Sequence, residues 1–235
     1  MAKYIRSHTL RLLTKTTCFW RLAILISSVA SAADRTPENT ISHPRPETSS
    51  GWQKSDANPI LGGKFGTCFD ISVLKEEKNY RMWVSWRPKK SIALVESRDG
   101  IHWSEPPEVV LPPLTETGWE DDINRPVVVK RPDGYHMWYT GQAKDRSWIG
   151  YATSPDGRHW RRMSAKPVLS PDQPWEKSAL MCPHVLWDHA MKKYRMWYSG
   201  GGQYEPDAIG YAVSGDGLHW EKPVKGPVFS PDKSV

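Results

Sequence analysis

The stretch Ser154-Pro155-Asp156-Gly157-Arg158-His159-Trp160 decides the fold, because the chain writes it three times. Ser97-Arg98-Asp99-Gly100-Ile101-His102-Trp103 comes before it, and Ser214-Gly215-Asp216-Gly217-Leu218-His219-Trp220 after it. The spacing is about 60 residues, and a fixed period of this order marks a repeat architecture. Glycine tolerates positive φ, so Asp-Gly between two apolar runs reads as a tight turn.

Working outward, each repeat holds four segments. The first is short and apolar: Asp70–Leu74, Arg125–Val129 and Cys182–Leu186. The second is aromatic, as in Tyr135-His136-Met137-Trp138-Tyr139-Thr140, with counterparts at Tyr80–Trp86 and Tyr194–Ser199. The third is small and β-branched, as in Ile149-Gly150-Tyr151-Ala152-Thr153, with counterparts at Ile92–Glu96 and Ile209–Val213. The fourth is the short His-Trp segment. Runs of this length, rich in β-branched and aromatic residues and bounded by Gly, Pro, Asp and Ser, are strands. The expected fold is all-β: a β-propeller of four-stranded antiparallel blades. Blades are expected over about 65–104, 120–161 and 177–221, with an isolated outer strand near 51–55 around Trp52. Propellers have roughly four to eight blades, so three complete ones predict an incomplete ring. Another chain could supply the missing blades. The repeated Tyr, Trp, His and Asp-Gly residues are expected to serve packing, and activity is sought in residues that break the repeat.

Composition bounds the function. The chain has 235 residues, 38% hydrophobic and 25% charged, with 13 Trp. The net charge of +6 is concentrated early, at Lys3, Arg6, Arg11, Lys15 and Arg21, so no nucleic-acid partner is expected. Those basic residues precede the apolar run Leu22–Ile26 and the small-residue site Ala30-Ser31-Ala32, which read as a signal peptide over 1–32 cleaved after Ala32. A secreted or periplasmic protein follows, with no membrane association after cleavage. Residues 33–50 are rich in Pro, Ser, Thr and Glu and read as a disordered linker. Cys68 and Cys182 are expected to be buried, unpaired thiols.

The inner strands with Pro, Tyr-x-Met-Trp-Tyr-Ser/Thr-Gly, Ile-Gly-Tyr-Ala-x-Ser and Ser-x-Asp-Gly-x-x-Trp resemble the five-bladed β-propeller glycoside hydrolases. That superfamily includes the arabinanase/xylosidase, invertase/levanase and mannoside phosphorylase families. The resemblance covers about residues 51–232. It implies a central funnel that takes an oligo- or polysaccharide. It also implies carboxylates near the starts of the inner strands, one as base or nucleophile and one as acid. Such pairs stand about 5–5.5 Å apart for retention and about 6.5–9.5 Å for inversion.

Asp70 starts the first inner strand and is the leading candidate for base or nucleophile. The same column holds Arg125 and Cys182 in the other repeats, so the usual set is incomplete. Asp122 and Glu205 are the further acid/base candidates. Arg125, Asp121 and His184 are expected to bind substrate, with Trp119, Trp175 and Tyr204 as stacking platforms. No zinc spacing, phosphate loop or serine elbow is present. No cofactor is required, and an axial calcium or similar ion is admissible in the funnel. The leading reading is an exported glycoside hydrolase. The alternatives are a non-catalytic carbohydrate-binding or assembly module and a glycoside phosphorylase.

Overall fold

The computed structural model describes residues 54–231. The expected signal peptide, the linker and Trp52 lie outside the described residues. Blade one comprises β1 (Cys68–Lys75), β2 (Tyr80–Trp86), β3 (Ser91–Ser97) and β4 (Glu108–Leu111), antiparallel and in chain order. Blade two comprises β5 (Asp122–Arg131), β6 (Gly134–Ala143), β7 (Arg146–Ser154) and the two-residue β8 (Arg161–Arg162). Blade three comprises β9 (Ala179–Asp188), β10 (Lys193–Gly202) and β11 (Glu205–Ser214), and Glu221 and Phe229 bridge its outer edge. A parallel bridge from Ser147 to Ala179 links blades two and three into one hydrogen-bonded path, β11-β10-β9-β7-β6-β5. Helical structure among the described residues is confined to four single 3₁₀ turns.

The repeated phrase forms a turn, not a fourth strand. Asp156 Oδ1 accepts the backbone N–H groups of Arg158 and His159, and Oδ2 lies 2.7 Å from the His159 ring. Ser154 Oγ accepts the N–H of Gly157 at 2.8 Å. The side chains therefore take backbone donors that a strand would need for its ladder. The fourth strand begins after the His-Trp pair, at Arg161 in blade two and Glu108 in blade one. Asp99 and Asp216 build the same turn.

The turn also joins blades. The Trp83 indole N–H donates to the carbonyl of Gly157 at 2.9 Å, and that of Trp138 to Gly217 at 2.9 Å. Each second-strand tryptophan thus caps the turn of the following blade. Trp83 packs with Tyr135 and Met137 in one core, and Trp138 with Tyr194 and Met196 in a second. Trp197 holds the same column in blade three and is half-buried, whereas Trp83 and Trp138 are fully buried.

A second repeated fit lies inside blades two and three. Tyr139 pairs with Gly150, and Tyr198 with Gly210. A Cβ on either glycine would overlap the tyrosine ring. Blade one meets the same requirement with smaller partners, Val84 opposite Ala93. Both described cysteines are unpaired, as expected, but Cys182 is exposed and Cys68 only half-buried. The Cys182 residue is exposed because its strand start opens on the groove, although the protein around its thiol still desolvates it.

Two outcomes follow from this packing. Gly150→Ala lowers stability by about 1–3 kcal/mol through overpacking against Tyr139 and Trp119, measured as a fall in the urea midpoint. The second concerns acid. The Asp156 carboxyl is held well below the usual range, first by the His159 backbone N–H and then by its ring. A depressed folded-state pKa adds stability above the unfolded value of about 4, which is lost as pH falls below it. Asp156→Asn should therefore destabilise most at about pH 6, progressively less below about pH 4, and much less only at about pH 2. An equal loss at about pH 6 and about pH 2 would refute the assignment.

Candidate functional site

β1, β5 and β9 run side by side around an open groove of about 780 Å³. That volume suits a small ligand. Asp70, Arg125 and Cys182 stand at matching places near the starts of the three strands, and all three have positive φ, 42°, 54° and 54°. A non-glycine residue in this region is strained by about 1–3 kcal/mol and must be held by its surroundings. For Arg125 and Cys182 the preceding blade does the holding. The Arg125 N–H donates to Ser85 Oγ at 2.8 Å, and the Cys182 N–H to Thr140 Oγ1 at 3.1 Å. Strand pairing skips Asp70 between Phe69 and Ile71, and Arg125 and Pro126 between Asn124 and Val127. Such bulges re-aim a side chain, and all three residues line the groove.

Arg125 Nε lies 3.2 Å from Asp70 Oδ2. The Cys182 thiol is pushed up by burial around the sulfur, against the pull of the Arg125 guanidinium. Asp70 works in the same direction as burial. His184, exposed, lines the same groove. Among the groove's lining residues Asp70 is the single carboxylate. Among the described residues no cluster of three His, Cys, Asp or Glu side chains could hold a metal ion.

The structure brings Asp70, Arg125 and His184 together but leaves other candidates apart. Asp122 pairs with Gln142 in the β5–β6 ladder and accepts the Asn124 amide at 3.1 Å, facing a neighbour and not the groove lining. Asp121 is half-buried beside it and outside the lining. Glu205 pairs with Gly202 at the tip of the β10–β11 hairpin, exposed and away from Asp70's groove. Tyr204 is exposed at that same tip. Trp119 is turned into the core, 5% exposed and stacked on Tyr139 at 6.2 Å, so it offers no sugar platform. Its ring fills the space left by Gly141 and Gly150. Trp175 is half-buried and stacked on Tyr198, over Gly200.

Residue-level reading of the sequence passed over a buried acid in two blades. Glu120 and Glu176 are fully buried. Glu120 accepts the Tyr139 hydroxyl at 2.9 Å and Arg162 Nε on both oxygens at 3.0 Å. Glu176 accepts the Tyr198 hydroxyl and Lys222 Nζ, each at 2.7 Å. Burial raises the Glu120 pKa despite the Arg162 guanidinium. Blade one carries a charge-reversed counterpart on the surface, Lys64 with Glu105 at 2.6 Å. The available signal was the dipeptide Trp-Glu at 119–120 and 175–176, matched by a cation two residues after Trp160 and Trp220. These acids tie the entry of a blade to its outer strand, a structural role.

Comparison with known proteins adds the family. The profile of glycoside hydrolase family 130, described as beta-1,4-mannooligosaccharide phosphorylase, matches residues 73–235. The chain belongs to that family. The match is therefore to the mannoside phosphorylase branch, in place of the arabinanase/xylosidase and invertase/levanase families that the motifs suggested. Two uncharacterized proteins of Mycobacterium tuberculosis, MT1551 and Rv1502, are 30% identical over 193 residues, or 75% of this chain. The chain spans 61% of their length. Among solved structures, a glycosyl hydrolase from Bacteroides ovatus aligns with a TM-score of 0.61 at 17% identity, covering 76% of this chain and 60% of that one. A family 130 structure, described in connection with beta-1,2 mannosidic linkages in Candida mannan, aligns at 0.59 and 17%, covering 76% and 61%. A family 117 glycoside hydrolase of Zobellia galactanivorans aligns at 0.59 and 16%, covering 69% and 57%. At these identities the likeness is one of fold.

The buried acid gives a direct test. Arg162→Met leaves the Glu120 charge unpaired and should cost about 3–5 kcal/mol. Adding Glu120→Gln should restore much of this, read as the urea midpoint of the double variant against the single one.

Proposed function

We propose that this chain cleaves a mannoside by phosphorolysis, with Asp70 as the proton donor and Arg125 as the phosphate anchor. The observation that carries this reading is a carboxylate of the groove paired with an arginine. In phosphorolysis the phosphate brings its own nucleophilic oxygen, and the carboxyl serves as proton donor to the leaving group. The phosphate oxygen bonds to the anomeric carbon as the glycosidic C–O bond breaks. The proton of the Asp70 carboxyl goes to the departing sugar oxygen. Arg125 offers a bidentate fork suited to phosphate, and drawing it onto phosphate would free Asp70 to carry that proton. His184, exposed in the same groove, is placed in this reading on the substrate side. The family's description as a phosphorylase agrees with this reading. The composition of residues 1–32 further supports an exported site of action.

A second reading, binding without turnover, draws on the same observation, because Arg125 and Cys182 stand where the resemblance expects carboxylates. The test is product analysis with mannooligosaccharides, with and without phosphate. Phosphorolysis predicts a sugar 1-phosphate and no turnover without phosphate. Asp70→Asn should lower turnover by about 10²–10⁴-fold. Arg125→Ala should chiefly raise the KM for phosphate. Free mannose released without phosphate would establish hydrolysis instead, and binding with no product would establish the second reading.

A further inference from the structure

A row of buried polar side chains runs away from the Asp70–Arg125 pair and ends in a different blade. Arg125 Nη1 donates to Asn124 Oδ1 at 2.7 Å. Asn124 Nδ2 donates to Gln142 Oε1 at 2.7 Å. Gln142 Nε2 donates to Ser147 Oγ at 3.1 Å, and Ser147 donates to Gln203 Oε1 at 2.6 Å. Asn124, Gln142 and Ser147 are 3%, 7% and 0% exposed. The row thus crosses from β5 through β6 and β7 to Gln203 in the turn between β10 and β11.

Every link donates in the same direction, so each oxygen faces the guanidinium side of the row. Aligned hydrogen bonds of this kind polarise and strengthen one another in a low-dielectric interior. The orientation at the first link is fixed by inventory. An asparagine amide has two N–H donors and one carbonyl. Asp122 Oδ1 and Gln142 Oε1 both accept from Asn124 Nδ2, which leaves Oδ1 turned to Arg125. Asp122 therefore acts as a lock on the amide. At the far end, Gln203 accepts through Oε1, and its Nε2 has no hydrogen-bond partner among the described residues.

We infer that Asn124, Gln142, Ser147 and Gln203 are positioning residues that hold the Arg125 guanidinium at the groove, and through it Asp70, so that the β10–β11 turn of blade three helps set the geometry of the Asp70–Arg125 pair. The inference deepens the phosphorolysis reading and rests on it for its kinetic arm.

The experiment uses Gln142→Leu and Gln203→Leu in the full chain, with two readouts. The first is steady-state kinetics. A loosened Arg125 should raise the KM for phosphate about tenfold in Gln142→Leu, the worth of a hydrogen bond to a charged group, with kcat changed about threefold or less. Gln203→Leu, at the far end and half-buried, should give a smaller shift of the same kind. The second readout needs no turnover: the pH–rate profile of iodoacetamide alkylation at Cys182, followed by peptide mass. The charged groups facing that thiol are Arg125 and Asp70. Arg125 favours the thiolate, so Gln142→Leu should move the profile to higher pH, towards that of Arg125→Ala. Unchanged Cys182 profiles in both leucine variants would overturn the inference, whatever the enzyme's reaction proves to be. A moved profile without phosphate-dependent turnover would uphold the positioning role and sink phosphorolysis alone. Gln203→Leu also guards against a folding failure in the more buried Gln142 variant.

Discussion

The hydrogen bond from a second-strand indole to the glycine carbonyl of the next blade's turn is the contact on which this architecture depends. Trp83 makes it to Gly157 and Trp138 to Gly217, each at 2.9 Å. A flat sheet with one apolar face needs a partner, and a tryptophan meets that need twice. Its ring fills the inter-blade core, and its single N–H donates to a carbonyl of a turn whose own donors are taken up by side chains. The turn is rigid because Asp156 and Ser154 absorb its backbone N–H groups. Rigid turns and buried indoles fix the angle between blades, and that angle brings three inner strands around one groove.

The same inter-blade logic creates the site. Hydroxyls on the second strand of one blade, Ser85 and Thr140, accept the N–H of a strained residue in the next. Strain that would otherwise relax is held, and Arg125 and Cys182 stay directed into the groove that Asp70 also lines. Stability and function thus draw on neighbouring positions of one strand. Trp83 and Ser85 sit two residues apart on β2 and serve the turn and the bulge of blade two. A propeller can vary the residue at the bulge freely because the hydroxyl binds the backbone and not the side chain. Asp, Arg and Cys therefore follow one another in the same column.

Some features were legible in the residues and some were not. The period, the strand content and the Asp-Gly turns follow from local chemistry, and the structure bears them out. The His-Trp segment was misread as a strand because its alternation is right but its backbone donors are taken by the Asp side chain. Asp70 and Arg125 stand out in the sequence as residues that break the column. Trp119 looked available for stacking, and only Tyr139 and the glycines beneath it show why it is buried. The buried acids Glu120 and Glu176 were hidden because each finds its cation about 40 residues or more away, a pairing that sequence distance does not reveal.

The sequence by itself determined the repeat, the all-β class and the likeness to carbohydrate-active propellers, since turn chemistry and side-chain alternation act within a few residues. The tertiary structure alone decided which acids face the groove and which are core. It also decided that Asp70 meets Arg125, and that a glutamine on blade three ends a row of bonds starting at that arginine. Those outcomes depend on the angle at which one blade packs on the next, and that angle is set by contacts between residues distant in the chain.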